Sequence, residues 1–381
     1  MTGAATAGAA MTRTVKCVVW DIDNTLLSGV YLESGERLPP PAPGMAAVLS
    51  ELTARGIVHA IVSRNPPAAA EHAAQVTGGD FVAAECGWGR KSDAITRIAA
   101  ELNIAADALA FVDDDPYERA EVSFALPPVL VLSPEDMADA VGWPEFSPSV
   151  VTPEARRRGA MYAQRRRRMA AQRSFGGSRE EFLRSCGTVV TVTAATAADV
   201  PRLHELSERT SQFNSAGAGL PEKAFRSLIF SPASGVLTVR LRDTFGDDGI
   251  VGACVTEHSV TGHSVTEHSV AEHGAGTWTV RLLMMSCRAM GRGVIEALLA
   301  WLARWAAREG AQVVEIPCAV NDRNVPLRLA LAAAGFRAAD GGAADRRAAG
   351  GAGTAGRAVF RLDLGGRLPD LPDWVGGPGK P

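Results

Sequence analysis

Through residues 15–135 the chain alternates short unbroken apolar runs with segments whose apolar residues recur at helical spacing. That is the pattern of strands buried on both faces and joined by helices. Residues 16–20 read as a buried parallel strand, and residues 29–42, rich in Gly, Glu and Pro, as a short flap. Gly44–Gly56 predicts a helix ended by a glycine, Ile57–Val62 a second strand and Pro67–Val76 a helix. Phe81–Ala84 is a further apolar run, Lys91 opens another helix, and Ala108–Val112 is another buried strand. From Gly187 the pattern restarts with the β-rich TVVTVTAAT, a helix over Ala197–Arg209, and apolar runs at Leu237–Leu241 and Gly249–Val255 joined by the turn-rich RDTFGDDG. WTVRLLMMSC then reads as a strand, VIEALLAWLARWAAREG as an amphipathic helix with Trp301 and Trp305 in the core, QVVEIP as a strand and Val325–Ala334 as a helix. Both halves are therefore α/β.

Polar residues stop the apolar runs of the first half, at the strand ends where doubly wound sheets bind ligands. The first run ends at Asp21 and Asp23, followed by Asn24 and Thr25. Two acids there suggest a Mg²⁺ site with one carboxylate free to attack phosphorus. The plainer alternative is a strand end capped by Asp and Asn. The second run ends at Ser63, Arg64 and Asn65, where a hydroxyl and adjacent backbone N–H groups can bind a phosphoryl oxygen. Lys91, which alone would be solvated, is placed opposite the carboxylates, to neutralise phosphate charge and hold the nucleophile ionised. Asp113, Asp114 and Asp115 end a buried strand, a costly arrangement unless a cation compensates it.

Composition narrows the class. A chain of 381 residues, 46% hydrophobic with net charge −3, has no bulk electrostatic pull toward nucleic acid or membrane. Six scattered cysteines without CxxC spacing and no secretory signal read as reduced thiols in a cytoplasm. No run of eighteen apolar residues is long enough to span a bilayer. Residues 1–14 read as a disordered leader, 15–144 as the first domain, 145–186 as a linker with a basic helix, 187–366 as the second domain and 367–381 as a tail. The arginines of ARRRGAMYAQRRRRMAAQR surround their helix, so it is read as a solvated connector, with docking of an acidic partner as the sharper option. No aromatics interleave with them as nucleic-acid binding would want. His258, His263, His268 and His273 recur at a spacing that collects them on no single face, so residues 256–276, like 340–356, read as low-complexity insertions.

Asp-x-Asp, Ser, Lys and Asp-Asp, at four successive element edges, resemble the haloacid dehalogenase superfamily of phosphotransferases over about residues 15–135. The resemblance implies a Rossmannoid domain with Asp21 as nucleophile and Asp23 as general acid and base. It implies Ser63, Arg64, Asn65 and Lys91 as phosphate-binding residues, and Mg²⁺ held by Asp21, Asp113, Asp114 and the backbone carbonyl of Asp23. The intervals from Asp23 to Ser63 and from Ser63 to Lys91 leave no room for a large cap.

In the second half, Arg288, Gly291 and Gly293 make R-x-x-G-x-G at a strand-to-helix junction, where free N–H groups can cradle a pyrophosphate. Between these elements the motif resembles the acyl-CoA-binding loop of GNAT-like acyltransferases, with Arg292 inside it and Asn321 and Asn324 before the closing helix. Cys287 adjoins the loop, as a small packing residue or as a nucleophile that a helix N-terminus and Arg288 would activate. Cys254 and Cys318 are weaker candidates.

VKCVVWDIDNTL, IVSRN, GWGRKSDAI, FVDDDPYERAEV, SQFN, DTFGDDGIVG and MSCRAMGRGV together resemble the FkbH-type glyceryl transferase/phosphatases, a subfamily IIIC haloacid dehalogenase domain fused to a GNAT-like domain. That resemblance implies transfer of a glyceryl unit from 1,3-bisphosphoglycerate to the phosphopantetheine thiol of an acyl carrier protein, with dephosphorylation, for polyketide extender or tetronate synthesis. Ile295 and Arg281 depart from the pattern, which has acidic residues there. A plain Mg²⁺-dependent phosphatase whose second domain binds a carrier or CoA is the alternative within enzymes. A docking module with a decayed site and an N-acetyltransferase are the others.

Overall fold

Cys17–Trp20 form β1, whose four side chains are all fully buried, at the centre of a five-stranded sheet. The computed structural model describes residues 14–35, 37–258, 276–339 and 356–376, and the chain divides into two units, residues 1–163 and 164–381. In the first unit β2 (Val58–Ser63), β3 (Phe81–Cys86), β4 (Leu109–Val112) and β5 (Leu130–Leu132) join β1 in the order β3-β2-β1-β4-β5, with every pairing parallel. The period of two in β1 sends Val18 and Trp20 into one core and Cys17 and Val19 into the other. Helices Met45–Ala54 and Pro67–Thr77 pack in the first core, Lys91–Leu102 and Pro116–Ala125 in the second. This explains why the strands lack polar alternation. Strands β2 and β3 run one or two residues past the apolar runs, because Ser63 still pairs with Cys86. Between Asp23 and Ser63 stand a single turn of 3₁₀ helix, Tyr31–Glu33, and the helix Met45–Ala54.

The region expected as a linker is helical: Pro153–Arg156, Arg158–Ser174 and Arg179–Ser185. The basic helix differs from a uniformly solvated connector. Arg158 and Arg168 are buried, Arg158 donating to the Gly56 carbonyl and Arg168 pairing with Asp243. Those partners compensate charges that periodicity alone would leave in water.

In the second unit β6 (Thr188–Ala194), β7 (Ser234–Asp243), β8 (Gly246–His258) and β9 (Thr277–Met285) form an antiparallel meander. β10 (Val313–Val320) runs parallel to β9. β11 (Arg337–Ala338), β12 (Gly356–Asp363) and β13 (Val375–Gly376) complete the order β11-β12-β10-β9-β8-β7-β6-β13. The stretch expected as a tail thus supplies an edge strand parallel to β6. Helix Val294–Arg308 connects β9 to β10 and carries ten buried residues, nine of which, Trp301 among them, join the main core. The indole of Trp305 stands edge-on to Trp278, with centroids 4.7 Å apart.

β9 and β10 pair only over Thr277–Thr279 and Val313–Glu315. Beyond that they part, and Phe213–Ser215 lies between them. Met285 N donates to Phe213 O at 2.9 Å, Ser215 N to Leu283 O at 2.9 Å, and Ala319 N to Ser215 O at 2.8 Å. The expected leader (residues 1–13 of it) and nearly all of both insertions, with His263, His268 and His273, lie outside the described residues. Among the described residues no helix is long and apolar enough to cross a membrane.

Candidate active site

Asp21 follows β1 directly, and its N–H donates to the Val112 carbonyl at 2.9 Å, so the two neighbouring strands hold the backbone that presents its carboxylate. Ser63 ends β2, and Asp113 follows β4, with 2% and 0% exposure. Lys91, the first residue of its helix, reaches in from the next connection. Its Nζ donates to Asp21 Oδ1 at 2.7 Å and to Asp113 Oδ2 at 2.6 Å. The four residues that sequence reading took from separate strand and helix edges therefore share the C-terminal edge of one parallel sheet.

Burial drives the electrostatics. It pushes the Asp21 carboxyl up to about 7, against the pull of Lys91, and the neighbouring Asp113 adds to the rise. Asp113 is also raised, burial again outweighing Lys91. Burial works against the Lys91 ammonium, yet its two carboxylate partners prevail and its pKa rises. One ammonium thus serves two buried acids, with a third, Asp114, beside them. Carboxylate oxygens of Asp21, Asp113 and Asp114 lie within 4.8 Å of one another. Hard oxygen donors in excess of the local positive charge fit Mg²⁺ or a similar divalent cation.

Asp23 does something different with its side chain. Its Oδ1 accepts from Tyr31 N at 2.8 Å and its Oδ2 from Asn65 Nδ2 at 2.9 Å. Asn65 also donates to Ser63 Oγ at 3.0 Å, which leaves the serine proton available to a phosphoryl oxygen. The turn that follows Asp23 places Asn24 in the left-handed region at φ 49°, a conformation asparagine tolerates, and its amide donates to Asp114 Oδ2 at 3.2 Å. Arg64, half-exposed, pairs with Glu118 at 2.8 Å.

Two supports were not legible in the sequence. Arg119 donates to the carbonyls of both Asp113 and Asp114 at 2.7 Å, fixing the acidic turn from the following helix. Glu118 is buried, which raises its pKa, and among the described residues its Oε2, Thr25 Oγ1 and Asn65 Oδ1 have no hydrogen-bond partner. Only the spacing of Glu118 and Arg119 on the first turns of a helix that begins at Pro116 hinted at them.

In the second unit Cys287–Ala289 form one turn of 3₁₀ helix, and Gly291 and Gly293 take φ of 72° and 82° ahead of helix Val294–Arg308. A side chain at Gly293 would meet the Trp374 indole nitrogen at 2.7 Å, so glycine is needed for space as well as for φ. Arg288 is buried, and among the described residues its Nε has no hydrogen-bond partner. Arg292, read as a pyrophosphate ligand, is engaged within the unit: Nη2 pairs with Asp243 at 2.6 Å and Nη1 with Asp248. Arg168 shares Asp243, so Arg292 sits in a buried charge cluster that ties the turn to the β7–β8 hairpin. Asn321 and Asn324 bond each other's backbone, and Asn324 is fully buried.

No protein-family model matches the chain, and no curated protein does. Solved structures are similar to its parts. The N-terminal part of a Bacteroides fragilis protein, containing a phosphatase domain complexed with Mg, is 28% identical over 34% of this chain and 40% of its own, with TM-score 0.31. The 3-deoxy-D-manno-octulosonate 8-phosphate phosphatase of Moraxella catarrhalis, with magnesium and phosphate bound, is 22% identical over 28% of this chain and 60% of its own, with TM-score 0.24. An acetyltransferase of the GNAT family from Desulfovibrio desulfuricans is 17% identical over 46% of this chain and 99% of its own, with TM-score 0.33.

Proposed function

We propose that the first unit is a Mg²⁺-dependent phosphohydrolase of the haloacid dehalogenase type, and that the second binds the thioester arm of an acyl carrier protein or CoA. The observation that carries the first half is Lys91 bridging Asp21 and Asp113 at the C-terminal edge of a parallel sheet, with Asp114 alongside. Held by Asp21, Asp113 and Asp114, Mg²⁺ supplies positive charge to the phosphoryl oxygens and to the ionised acids. Asp21 attacks phosphorus, forming an O–P bond as the bond to the leaving oxygen breaks, and Asp23 gives that oxygen its proton. Asp23 then takes a proton from water as the water attacks the aspartyl-phosphate, releasing phosphate and restoring Asp21. Tyr31 N–H and Asn65 hold Asp23 in place for both transfers. Release of phosphate from p-nitrophenyl phosphate tests this reading. It requires Mg²⁺, is abolished by EDTA, and is lost in Asp21→Asn; activity undiminished in that variant rejects it.

A second reading adds acyl transfer, and the cysteines favour it. In the second unit Cys186, Cys254 and Cys318 are buried, and burial pushes the thiols of Cys254 and Cys318 up to about 12; Cys287 is only half-buried and adjoins the glycine turn. In this reading the Cys287 thiolate attacks the acyl-phosphate carbonyl of 1,3-bisphosphoglycerate, a C–S bond forms, and phosphate leaves. The carrier thiolate then displaces Cys287, and Asp21 removes the remaining phosphoryl group. Incubation with 1,3-bisphosphoglycerate and a phosphopantetheinylated carrier, followed by intact mass of both proteins, tests it. A protein-bound adduct persisting in Cys287→Ala overturns the assignment of that thiol.

A further inference from the structure

The sequence after β12 carries a short repeat: Leu368-Pro369-Asp370, Leu371-Pro372-Asp373, then Trp374. A period of three is that of the polyproline II helix, and the two prolines favour it. Such a period sets Leu368, Leu371 and Trp374 on one side of the segment and the two acids on another. The packing has this sidedness. Leu368, Leu371 and Trp374 lie against the main core of the second unit, while the side chains of Asp370 and Asp373 are exposed. Topology also requires the segment to be extended. Five strands separate β12 from β13, so the two lie about 29 Å apart at about 4.8 Å a spacing. The twelve residue steps from Asp363 to Val375 reach about 37 Å in polyproline II.

Little holds this segment down. Among the described residues, the one backbone hydrogen bond made by residues 367–374 runs from Val375 N to the Pro372 carbonyl. The edge strand β13 pairs over two residues, Val375 with Thr188 and Gly376 with Val189. Arg184 pairs with Asp373 at 2.7 Å, but both side chains are exposed, and such a pair contributes little. Apolar contact remains, and Trp374 is the largest side chain making it.

Trp374 stands on the glycine turn. A Cβ at Gly293 would lie 2.7 Å from its Nε1 and 3.0 Å from Val375 Cγ2. That indole nitrogen is buried and among the described residues has no hydrogen-bond partner. Its position explains the lack. Gly293 caps helix Val294–Arg308, whose first N–H groups have no partner within the helix and form its positive end. An indole nitrogen only donates, so here a donor faces donors. The buried Nε atoms of Arg288 and Arg292, in the same turn, also have no hydrogen-bond partner among the described residues. With Trp374 in place the turn is rich in donors and short of an acceptor, which burial makes unfavourable.

We propose that residues 367–376 form a displaceable strap that holds the glycine turn closed, so that an anionic ligand arm reaches the N–H groups of the turn only after Trp374 has left Gly293. The inference rests on reading the second unit as a carrier- or CoA-binding domain, and adds to it a competitor within the chain. The ligand supplies the acceptors that the closed turn lacks, and the strap gives up few hydrogen bonds in leaving. Apparent affinity is then lowered in proportion to the fraction of molecules whose strap is open.

Hydrogen–deuterium exchange of the full chain in EDTA, read by mass spectrometry with and without CoA, tests the strap. Expected on the same addition are slower exchange over residues 287–296 and faster exchange over residues 364–376. Pantetheine, which lacks the phosphates, is expected to leave the strap closed; opening equal to that by CoA overturns the proposal. Trp374→Ala binds CoA about tenfold more tightly, and Asp373→Asn, which loosens the strap away from the turn, about twofold, both with the circular dichroism of the parent. Exchange in the parent needs no substitution, so it decides even where Trp374→Ala does not fold. A strap that slows with CoA, or does not respond to it, overturns the proposal, as does a folded Trp374→Ala chain that binds CoA no more tightly. In those cases protection of residues 287–296 by CoA leaves the reading of the second unit standing. CoA binding to neither the parent nor Asp373→Asn nor a folded Trp374→Ala chain rejects that reading, and the strap with it.

Discussion

Lys91 donates to Oδ1 of Asp21 at 2.7 Å although 70 residues separate them in sequence. The same ammonium reaches Asp113, so one cation holds together the ends of β1 and β4 where the order of the sheet reverses. Adjacent strands on opposite sides of such a point have connections that leave in opposite directions and open a crevice between them. The acids line that crevice because they follow directly on the two strands.

Replacing Lys91 by Met leaves two buried carboxylates facing each other. The expected cost is about 3 kcal/mol of stability in chelator, since removing one partner of a buried pair exposes the other's desolvation. Phosphate release falls by about a hundredfold or more. Thermal denaturation with and without Mg²⁺, beside steady-state hydrolysis, checks both, and the stabilisation by Mg²⁺ is larger in the variant than in the parent.

Asn65 bridges Asp23 and Ser63. Asn65→Ala is expected to lower kcat for phosphate release by about tenfold to a hundredfold with a smaller change in KM, because it loosens the group that moves the proton. An effect confined to KM indicates direct phosphate binding instead.

His59 makes one contribution to the pH dependence of the first unit's stability, opposite in sign to that of Asp21, whose raised pKa favours the folded state as pH falls. His59 is fully buried, accepts from Trp20 Nε1 at 3.1 Å, and lies 3.1 Å from the Leu49 carbonyl; burial lowers its pKa to about 4. The unfolded chain binds this proton near the ordinary histidine value of about 6.5 and the folded one does not until lower pH. Its contribution is therefore complete above about 6.5 and is lost as pH falls through about 4, on the order of 3 kcal/mol in all. The difference in denaturation midpoint between the parent and His59→Gln, followed from pH 7 to pH 4, should show this slope, because the opposing contribution of Asp21 is common to both.

Arg292 distinguishes two roles by experiment. Paired with Asp243 and Asp248 in a buried cluster, it is expected to act on stability: Arg292→Met destabilises the second unit by about 3 kcal/mol. A variant as stable as the parent but weakened in carrier or CoA binding returns Arg292 to the pyrophosphate. Melting curves and a carrier-binding titration on one preparation separate the outcomes.

Much of the first unit was legible because a strand buried on both faces is an apolar run whatever surrounds it. Val58–Ser63 and Leu109–Val112 were each placed within a residue or two, and their polar ends with them. The partners of Asn65, Arg119 and Arg292 were not legible, nor was the insertion of Phe213–Ser215 between strands. A side chain's identity gives its donors and acceptors but not which distant backbone will stand within 3 Å of it.

The sequence by itself determined that carboxylates, a serine and a lysine terminate successive elements of an α/β chain, since hydrophobic period and residue chemistry are local properties. Tertiary structure alone decided that Lys91 joins Asp21 to Asp113, that Asp23 is restrained by Asn65 and Tyr31, and that a cavity opens beside Ser215. The physical reason is range. Hydrogen bonds and buried ion pairs act over a few ångströms, and only the parallel order of β1, β2 and β4 and the parting of β9 from β10 bring those groups that close.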